Sequence, residues 1–311
     1  MKFKVNENNI PLQKIEDDFL TKKNIALYVL REDLVHPEIS GNKWRKLKYN
    51  LQEAQNKGYR QLLTFGGAFS NHIAATAAAG REFGFKTIGI IRGEEHLPLN
   101  STMQLAQDYG MVFKFVSRVA YRAKNEDSFI TNLKEGFGEF YLVPEGGSNV
   151  LAVKGCSEIV NNINVDYDVI CCACGTGGTI AGIIASLDYS KKIIGFPALK
   201  GGAFLKEDIQ RLLTEYGIEF NCKIENDNWK LITDYHFSGY AKVNQELIRF
   251  IKEFRKKHSI LLDFIYTGKM VFGLYDMIKN SDQYDNQTII IVHTGGIQGN
   301  KGFEQRFKIT I

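Results

Sequence analysis

A chain of 311 residues with 44% hydrophobic and 24% charged residues has the composition of an ordinary folded protein, which excludes disordered, collagen-like and small disulfide-stapled classes. The net charge is only +4, with acids and bases interleaved, so nucleic acid is not an expected partner. No segment approaches the roughly 18 continuous apolar residues of a membrane span, and MKFKVNENNI lacks the apolar core of a secretory signal, so no membrane partner and a cytoplasmic location are expected.

From residue 58 onward, short apolar runs alternate with helical patterns, as in strands and crossover helices that build a parallel sheet. In chain order the patterns predict a helix over 43–57, a strand over 61–66, a helix over 71–83, strand 87–92, helix 100–109, strand 111–116, helix 122–136 and strand 140–143. They continue with helix 150–163, strand 167–173, helix 178–187, strand 192–196, helices 204–216, 241–258 and 268–279, and strand 288–293. Gly58, Gly110 and Gly217 follow helical patterns where a left-handed cap residue is wanted. Residues 218–240 fit neither pattern and read as an irregular or β-containing excursion without an evident function. At roughly 150 residues per domain two domains are expected, and with no Pro- or Ser-rich linker and no repeat they must be interleaved.

The five cysteines, at 156, 171, 172, 174 and 222, form no disulfide framework and are expected to be reduced. Cys171 and Cys174 match C-x-x-C, yet they lie in the apolar run DVICCACG, where a buried strand explains them better than a metal site.

Four stretches concentrate the chemistry-bearing residues. In the first, Ser40-Gly41-Asn42-Lys43-Trp44-Arg45-Lys46-Leu47-Lys48, Asn42 is placed to cap a helix that opens with a surplus of cations. Such cations oppose the helix dipole by roughly 0.3–1 kcal/mol each, so the run implies a purpose beyond helix stability unless it is a solvated basic face. The second, Thr64-Phe65-Gly66-Gly67-Ala68-Phe69-Ser70-Asn71-His72, leads a strand through a glycine turn into a small-residue helix; Ser70 or Asn71 would cap it, and the glycines would admit a ligand close to the backbone. The third, Cys174-Gly175-Thr176-Gly177-Gly178-Thr179, aims backbone N–H groups and two hydroxyls at a helix start, a phosphate site. It has neither the Gly-Lys-Ser/Thr of a Walker loop nor the G-x-G-x-x-G of dinucleotide folds, so a monophosphate is the expected occupant. The fourth, Val292-His293-Thr294-Gly295-Gly296, ends the last strong strand. Ligands of open parallel sheets gather at the carboxyl ends of strands, so the turns after 61–66, 167–173 and 288–293 are expected to face one crevice; His293 alone reads as a packed residue.

Together these stretches resemble the pyridoxal-phosphate family that contains 1-aminocyclopropane-1-carboxylate deaminase and D-cysteine desulfhydrase, within the tryptophan-synthase-β-like fold (fold type II). The resemblance runs in the family's order from Leu30-Arg31-Glu32-Asp33 to His293-Thr294-Gly295-Gly296. It implies an α/β protein of two interleaved three-layer α/β/α domains with mostly parallel twisted sheets, residues 1–49 and 150–311 forming a larger cofactor-binding domain and residues 50–149 a smaller inserted one. It implies pyridoxal 5′-phosphate held by Lys43 as a Schiff base, with Gly175, Thr176, Gly177, Gly178 and Thr179 around its phosphate, Asn71 on its phenolic oxygen and Thr294 on its pyridine nitrogen. Ser70, Asn71, His72 and Tyr266, the last in Tyr266-Thr267-Gly268-Lys269, would face a small amino-acid substrate; Lys43, Ser70 and Tyr266 would be catalytic. A homodimer is implied as well.

Two departures refine this. The cyclopropane-opening branch carries a further tyrosine just before the His-x-Gly-Gly turn, where this chain has Ile290, Ile291 and Val292, while Thr294 fits the desulfhydrase branch. Phe69 and Trp44 are bulkier than usual, so a distinct substrate pocket is expected. The resemblance thus implies D-cysteine-type α,β-elimination to an oxo acid, ammonia and sulfide. Alternatives are 1-aminocyclopropane-1-carboxylate deamination, a serine or threonine dehydratase or a racemase of the same fold, and a catalytically silent cofactor-binding protein.

Overall fold

The computed structural model describes residue 5 and residues 7–224 and 227–310, so most of the N-terminal stretch read for a signal, and residues 225 and 226 of the excursion, lie outside the described residues. In chain order these form β1 (Leu12–Ile15), α1 (Asp18–Lys22), β2 (Ala26–Leu30), α2 (Asn42–Asn56), β3 (Gln61–Gly66), α3 (Asn71–Phe83), β4 (Lys86–Arg92), α4 (Ser101–Asp108) and β5 (Met111–Val116). There follow α5 (Arg118–Arg122), α6 (Asp127–Phe137), β6 (Tyr141–Val143), α7 (Val150–Ser157), β7 (Val169–Cys174), α8 (Gly178–Ser186), β8 (Lys192–Pro197) and α9 (Leu205–Glu219). The chain ends with β9 (Trp229–Leu231), α10 (Gln245–His258), α11 (Thr267–Asn280), β10 (Thr288–Val292) and α12 (Asn300–Phe307).

Two sheets result. One has the strand order β1-β2-β10-β7-β8-β9, parallel except for the β1–β2 pair; the other has the order β5-β4-β3-β6 and is parallel throughout. This is the mixed α/β architecture with parallel sheets that was expected. Central β7, VICCAC, is buried along its whole length because helices cover both faces, and its continuous apolar run is the signature of such a strand. α2, α7, α8 and α9 line one face of the larger sheet, while α10 and α11 line the other. The cysteines of β7 belong to this packing, and burial pushes the Cys171 thiol above its usual range and that of Cys156 in α7 up to about 12.

Each predicted strand is present to within two residues. The unpredicted ones are edge or N-terminal strands: β1 and the three-residue β9 bury too little of themselves to show a pattern. The helix expected over 122–136 is broken into α5 and α6. Gly217 does not cap its helix. It lies inside α9, where its lack of a side chain lets the Cys222 N–H reach the Gly217 carbonyl at 3.0 Å, and Asn221 (φ 47°) takes the left-handed position instead.

Helix α2 is fixed from two sides. Arg45, fully buried, donates from Nε and Nη2 to the two carboxylate oxygens of Glu32 at 3.0 and 2.9 Å, and from Nη1 to Glu7 at 3.0 Å. On another side α7 passes so close that a Cβ on Gly155 would fall 1.8 Å from the Arg45 carbonyl oxygen. Gly155→Ala should therefore destabilise the fold by about 1–3 kcal/mol in urea denaturation, the cost of overpacking. Gly136→Ala, on exposed α6 with nothing within 4 Å, should instead gain up to about 1 kcal/mol.

Candidate active site

The four stretches meet. Gly41 (φ 63°) comes so close to the turn after β10 that a Cβ there would sit 2.1 Å from the Thr294 carbonyl oxygen, and the Asn42 N–H donates to that same oxygen at 3.3 Å. Gly41, not Asn42, is the N-cap of α2. The Asn42 side chain is thereby released: its Nδ2 donates to Thr179 Oγ1 at 2.8 Å, while its Oδ1 accepts from Lys43 Nζ at 2.7 Å. A Cβ on Gly296 would lie 2.7 Å from Asn71 Nδ2, and one on Gly175 would lie 3.1 Å from the Tyr266 ring. Lys43, Asn71, the glycine loop, Tyr266 and Thr294 thus surround one crevice at the carboxyl ends of β3, β7 and β10.

Lys43 lies partly buried among these groups. Burial, reinforced by the Lys46 ammonium, lowers its pKa to about 7, against the partial counter-influence of Asp263. Of the neighbouring cations of α2, Arg45 points away into its carboxylates. Lys46 is the one that contributes, because its spacing of three from Lys43 puts both on one side of the helix. Its buried ammonium donates to the Gly146 carbonyl and Ser148 Oγ, both at 3.0 Å, and to Thr176 Oγ1 at 3.3 Å, all uncharged. It also lies 3.2 Å from where a Cβ on Gly178 would be, beneath the glycine loop. Gly177 (φ 78°) leads into α8 without any side-chain cap, which leaves the helix's first N–H groups available to an anion.

Ser70 caps α3, its Oγ accepting from the Ile73 N–H at 3.4 Å, a long bond. Asn71 is buried, and its Oδ1 accepts from Gln298 Nε2 at 3.1 Å, which turns its amide nitrogen the other way. His72 turns to Thr64: that hydroxyl donates to the Val143 carbonyl at 2.8 Å and so accepts from His72 Nε2 at 2.8 Å. Burial, then Lys43 and Lys46, hold the imidazole neutral by pushing its pKa well below the usual value. His293 likewise packs, with Nδ1 accepting from the Gly295 N–H at 3.2 Å and Nε2 bonding the Leu261 carbonyl at 2.8 Å. Trp44 does not border the crevice, since it is buried against His36 and Phe83; Phe69 is exposed, its ring facing Gly302 of α12.

Tyr266 begins α11. Buried Asp263 accepts from the Ile265, Tyr266 and Thr267 N–H groups at 2.9, 2.9 and 2.7 Å and fixes that start. Burial, Tyr240 and Asp263 push the Tyr266 hydroxyl well above the usual phenol value, so it stays protonated. Tyr240, from the excursion without an evident function, stands edge-on to it at 6.1 Å between ring centroids. Neither Tyr240 nor Asp263 stands in a recognisable motif.

These residues fit pyridoxal phosphate. Lys43 supplies an amine with reduced proton affinity, and an uncapped helix start beside a buried ammonium with only uncharged partners supplies the place for a dianion. A crevice of this kind between parallel sheets defines an enzyme that works through a lysine-bound, phosphate-bearing cofactor. The chain belongs to the pyridoxal-phosphate dependent enzyme family, whose pattern it matches over residues 5–295, and its cofactor is pyridoxal 5′-phosphate. Within it the chain is of the 1-aminocyclopropane-1-carboxylate deaminase and D-cysteine desulfhydrase kind. It is 34% identical over 292 residues to a Thermotoga maritima protein provisionally named 1-aminocyclopropane-1-carboxylate deaminase, covering 89% of this chain and 91% of that one. It is 29% identical over 299 residues to the mitochondrial bifunctional D-cysteine desulfhydrase/1-aminocyclopropane-1-carboxylate deaminase of Arabidopsis thaliana, covering 88% and 73%. The crystal structure of an ACC deaminase homologue superposes with a TM-score of 0.85 at 27% identity over 96% of this chain and 93% of that one.

Only neutral Lys43 can attack an aldehyde. With a pKa of about 7, capture of pyridoxal phosphate by cofactor-free protein should quicken as pH rises through about 7 and level off above it. Lys46→Met, which removes a neighbouring positive charge, should move that inflection to higher pH. Stopped-flow absorbance checks both, and an inflection at the ordinary lysine value of 10.5 would contradict the assignment.

Proposed function

We propose that this chain catalyses α,β-elimination on a small D-amino acid, D-cysteine foremost, to give pyruvate, ammonia and sulfide. The observation that carries this reading is that one crevice holds an amine whose pKa is lowered to about 7 and a phenol kept protonated by burial. Such a pair can remove the Cα proton and protonate the departing group. Bound pyridoxal phosphate would supply the electron-withdrawing system that makes the Cα hydrogen acidic.

In this reading Lys43 Nζ accepts the Cα proton, and its lowered pKa matches it to working pH. Tyr266 donates its hydroxyl proton toward the departing sulfur, and Tyr240 packs edge-on against that ring and keeps it in place. Ser70 lies at the start of α3 with a hydroxyl only loosely engaged, suited to orient the substrate or relay a proton. The Asn71 amide nitrogen, directed away from Gln298, is free to donate to the cofactor's phenolic oxygen. Gly175 to Thr179 and Lys46 would hold the phosphate. Thr294 offers a neutral hydroxyl, which cannot keep a ring nitrogen protonated as a carboxylate would, and this favours prompt elimination over transamination. We also assign residues 50–149 to the smaller domain, because β3 to β6 all fall inside that range.

Product analysis on purified protein tests the reaction. D-cysteine should yield pyruvate with sulfide and D-serine pyruvate alone, each faster than 1-aminocyclopropane-1-carboxylate yields 2-oxobutyrate. Efficient 2-oxobutyrate formation without sulfide from D-cysteine would overturn it in favour of the deaminase. Lys43→Ala should abolish all turnover, and Tyr266→Phe should lower kcat by about 10²–10⁴-fold, the usual worth of a general acid.

A further inference from the structure

The turn at 234–241 is held in a conformation its sequence does not favour. Phe237 (φ 51°), Ser238 (φ 68°) and Ala241 (φ 55°) all occupy the left-handed region that residues with a side chain seldom enter. Such a backbone persists only where its surroundings over-determine it, and one group does most of this. Lys269, in the first turn of α11 and only 2% exposed, donates its ammonium to the carbonyls of His236 and Gly239, each at 2.9 Å. Buried lysines ordinarily answer to a carboxylate, whereas these partners are two backbone oxygens of one turn. The bonds therefore set backbone geometry more than they neutralise charge. Aromatic packing of Phe237 on Phe272, at 5.1 Å between centroids, and a bond from the Tyr235 hydroxyl to Asp276 at 2.8 Å complete the hold.

Gly239 leads directly into Tyr240, whose ring stands edge-on to that of Tyr266, three residues before Lys269 on the same helix start. The start of α11 thus grips the turn at two points, one through a cation and one through an aromatic ring. We propose that Lys269 is a positioning residue: by bonding the His236 and Gly239 carbonyls it locks the 234–241 turn so that Tyr240 stands against Tyr266 as a wall of the substrate crevice. Lys269 touches no reacting atom and acts through Tyr240. The inference rests on the crevice being the reaction site proposed above, but the clamp itself can be read without turnover.

Loss of the Lys269 charge would weaken the hold, since a neutral amine donates more weakly to the two carbonyls. Burial lowers the Lys269 pKa to about 8, opposed in part by Asp263. The titratable groups around it are His236, Tyr235 and Tyr240 on the turn and Asp263, Tyr266 and Asp276 on and before α11. The two tyrosines of the crevice and Tyr235 are all raised by burial, so Lys269 is the group that loses charge first as pH climbs above 8.

Hydrogen–deuterium exchange by mass spectrometry on the holoenzyme, with steady-state kinetics on the substrate the panel selects, decides the matter. In Lys269→Met, amides of 234–241 should exchange about tenfold faster while the 175–179 loop and the affinity for pyridoxal phosphate stay unchanged. KM should rise about tenfold with a smaller fall in kcat, and Tyr240→Ala, which removes the ring, should reproduce the KM change with little change in exchange. Unchanged exchange over 234–241, or faster exchange with an unchanged KM, would overturn the proposal. If the methionine variant does not fold, wild-type protein serves: after correction for intrinsic base catalysis, exchange over 234–241 and KM should both rise above about pH 8, and flat profiles would overturn the proposal. Should no substrate in the panel turn over, the proposed reaction fails and exchange alone judges the clamp.

Discussion

The crevice depends on one close approach of backbone to backbone, that of Gly41 to the Thr294 carbonyl. A Cβ at residue 41 would sit 2.1 Å from that oxygen, and the positive φ of 63° would strain any other residue even if space were made. On the opposite side a Cβ on Gly295 would lie 2.6 Å from Ser40 Oγ, so the two turns are fitted to each other reciprocally. Ser40 in turn donates to the Asp33 carbonyl at 3.0 Å, which ties this joint to the segment after β2. Since Lys43 lies two residues beyond the joint, its Nζ inherits a position set by main-chain contact and not by its own long, flexible side chain. Arg45 and Glu32 secure the same helix from behind, so α2 has little freedom to rotate.

The cations that open α2 look unfavourable only until their directions are separated. Arg45 and Lys48, three residues apart, share one face and end among Glu7, Glu32 and Glu158, with Tyr49 also bonded to Glu158. Lys43 and Lys46 share the other and meet only uncharged oxygens at bonding distance. One face is thus neutralised for stability, and the second is kept positive and poorly solvated. The Lys46 ammonium and the partly protonated Lys43 amine, both without carboxylate partners, cost folding free energy, a cost that a bound dianion would offset by mass action on the folded state. The same repulsion and burial lower the Lys43 pKa, so cofactor affinity and lysine reactivity have a common electrostatic origin.

How much of this was legible in the sequence follows from how each element earns its burial. β3, β4, β7, β8 and β10 lie within sheets covered by helices and show continuous buried runs that are mostly apolar. β1 and β9 are edge strands that take their register from a neighbour, and no run marks them. The site divides in the same way. Ser70 and the loop from Gly175 to Thr179 follow glycine turns at strand ends, and Lys43 lies in the first turn of α2 just after Gly41, where local chemistry betrays them. Asp263, Tyr240 and Lys269 matter through partners that only the folded chain brings near: Asp263 serves the start of α11, and Tyr240 reaches Tyr266 from a segment with no periodicity. Lys46 is intermediate, since its spacing from Lys43 was visible while the hydroxyls of Ser148 and Thr176 around it were not.

The polar groups of the crevice also join the two sheets. Ser148 and the Gly146 carbonyl follow β6 of the smaller sheet, Thr176 follows β7 of the larger, and the Lys46 ammonium bonds all three while Ser148 and Thr176 contact each other at 2.5 Å. Across the same gap Gln298, beyond β10, holds Asn71 at the start of α3. An anion that enters beside Lys46 competes with the Gly146 carbonyl for its protons, and a group that takes the Asn71 amide draws on a side chain already tied to Gln298. Occupancy of the crevice and the relative setting of the two sheets are therefore not independent. The few hydrogen bonds that span the gap are made by the residues best placed to bind what fills it, so filling the site must redistribute the contacts that set its width.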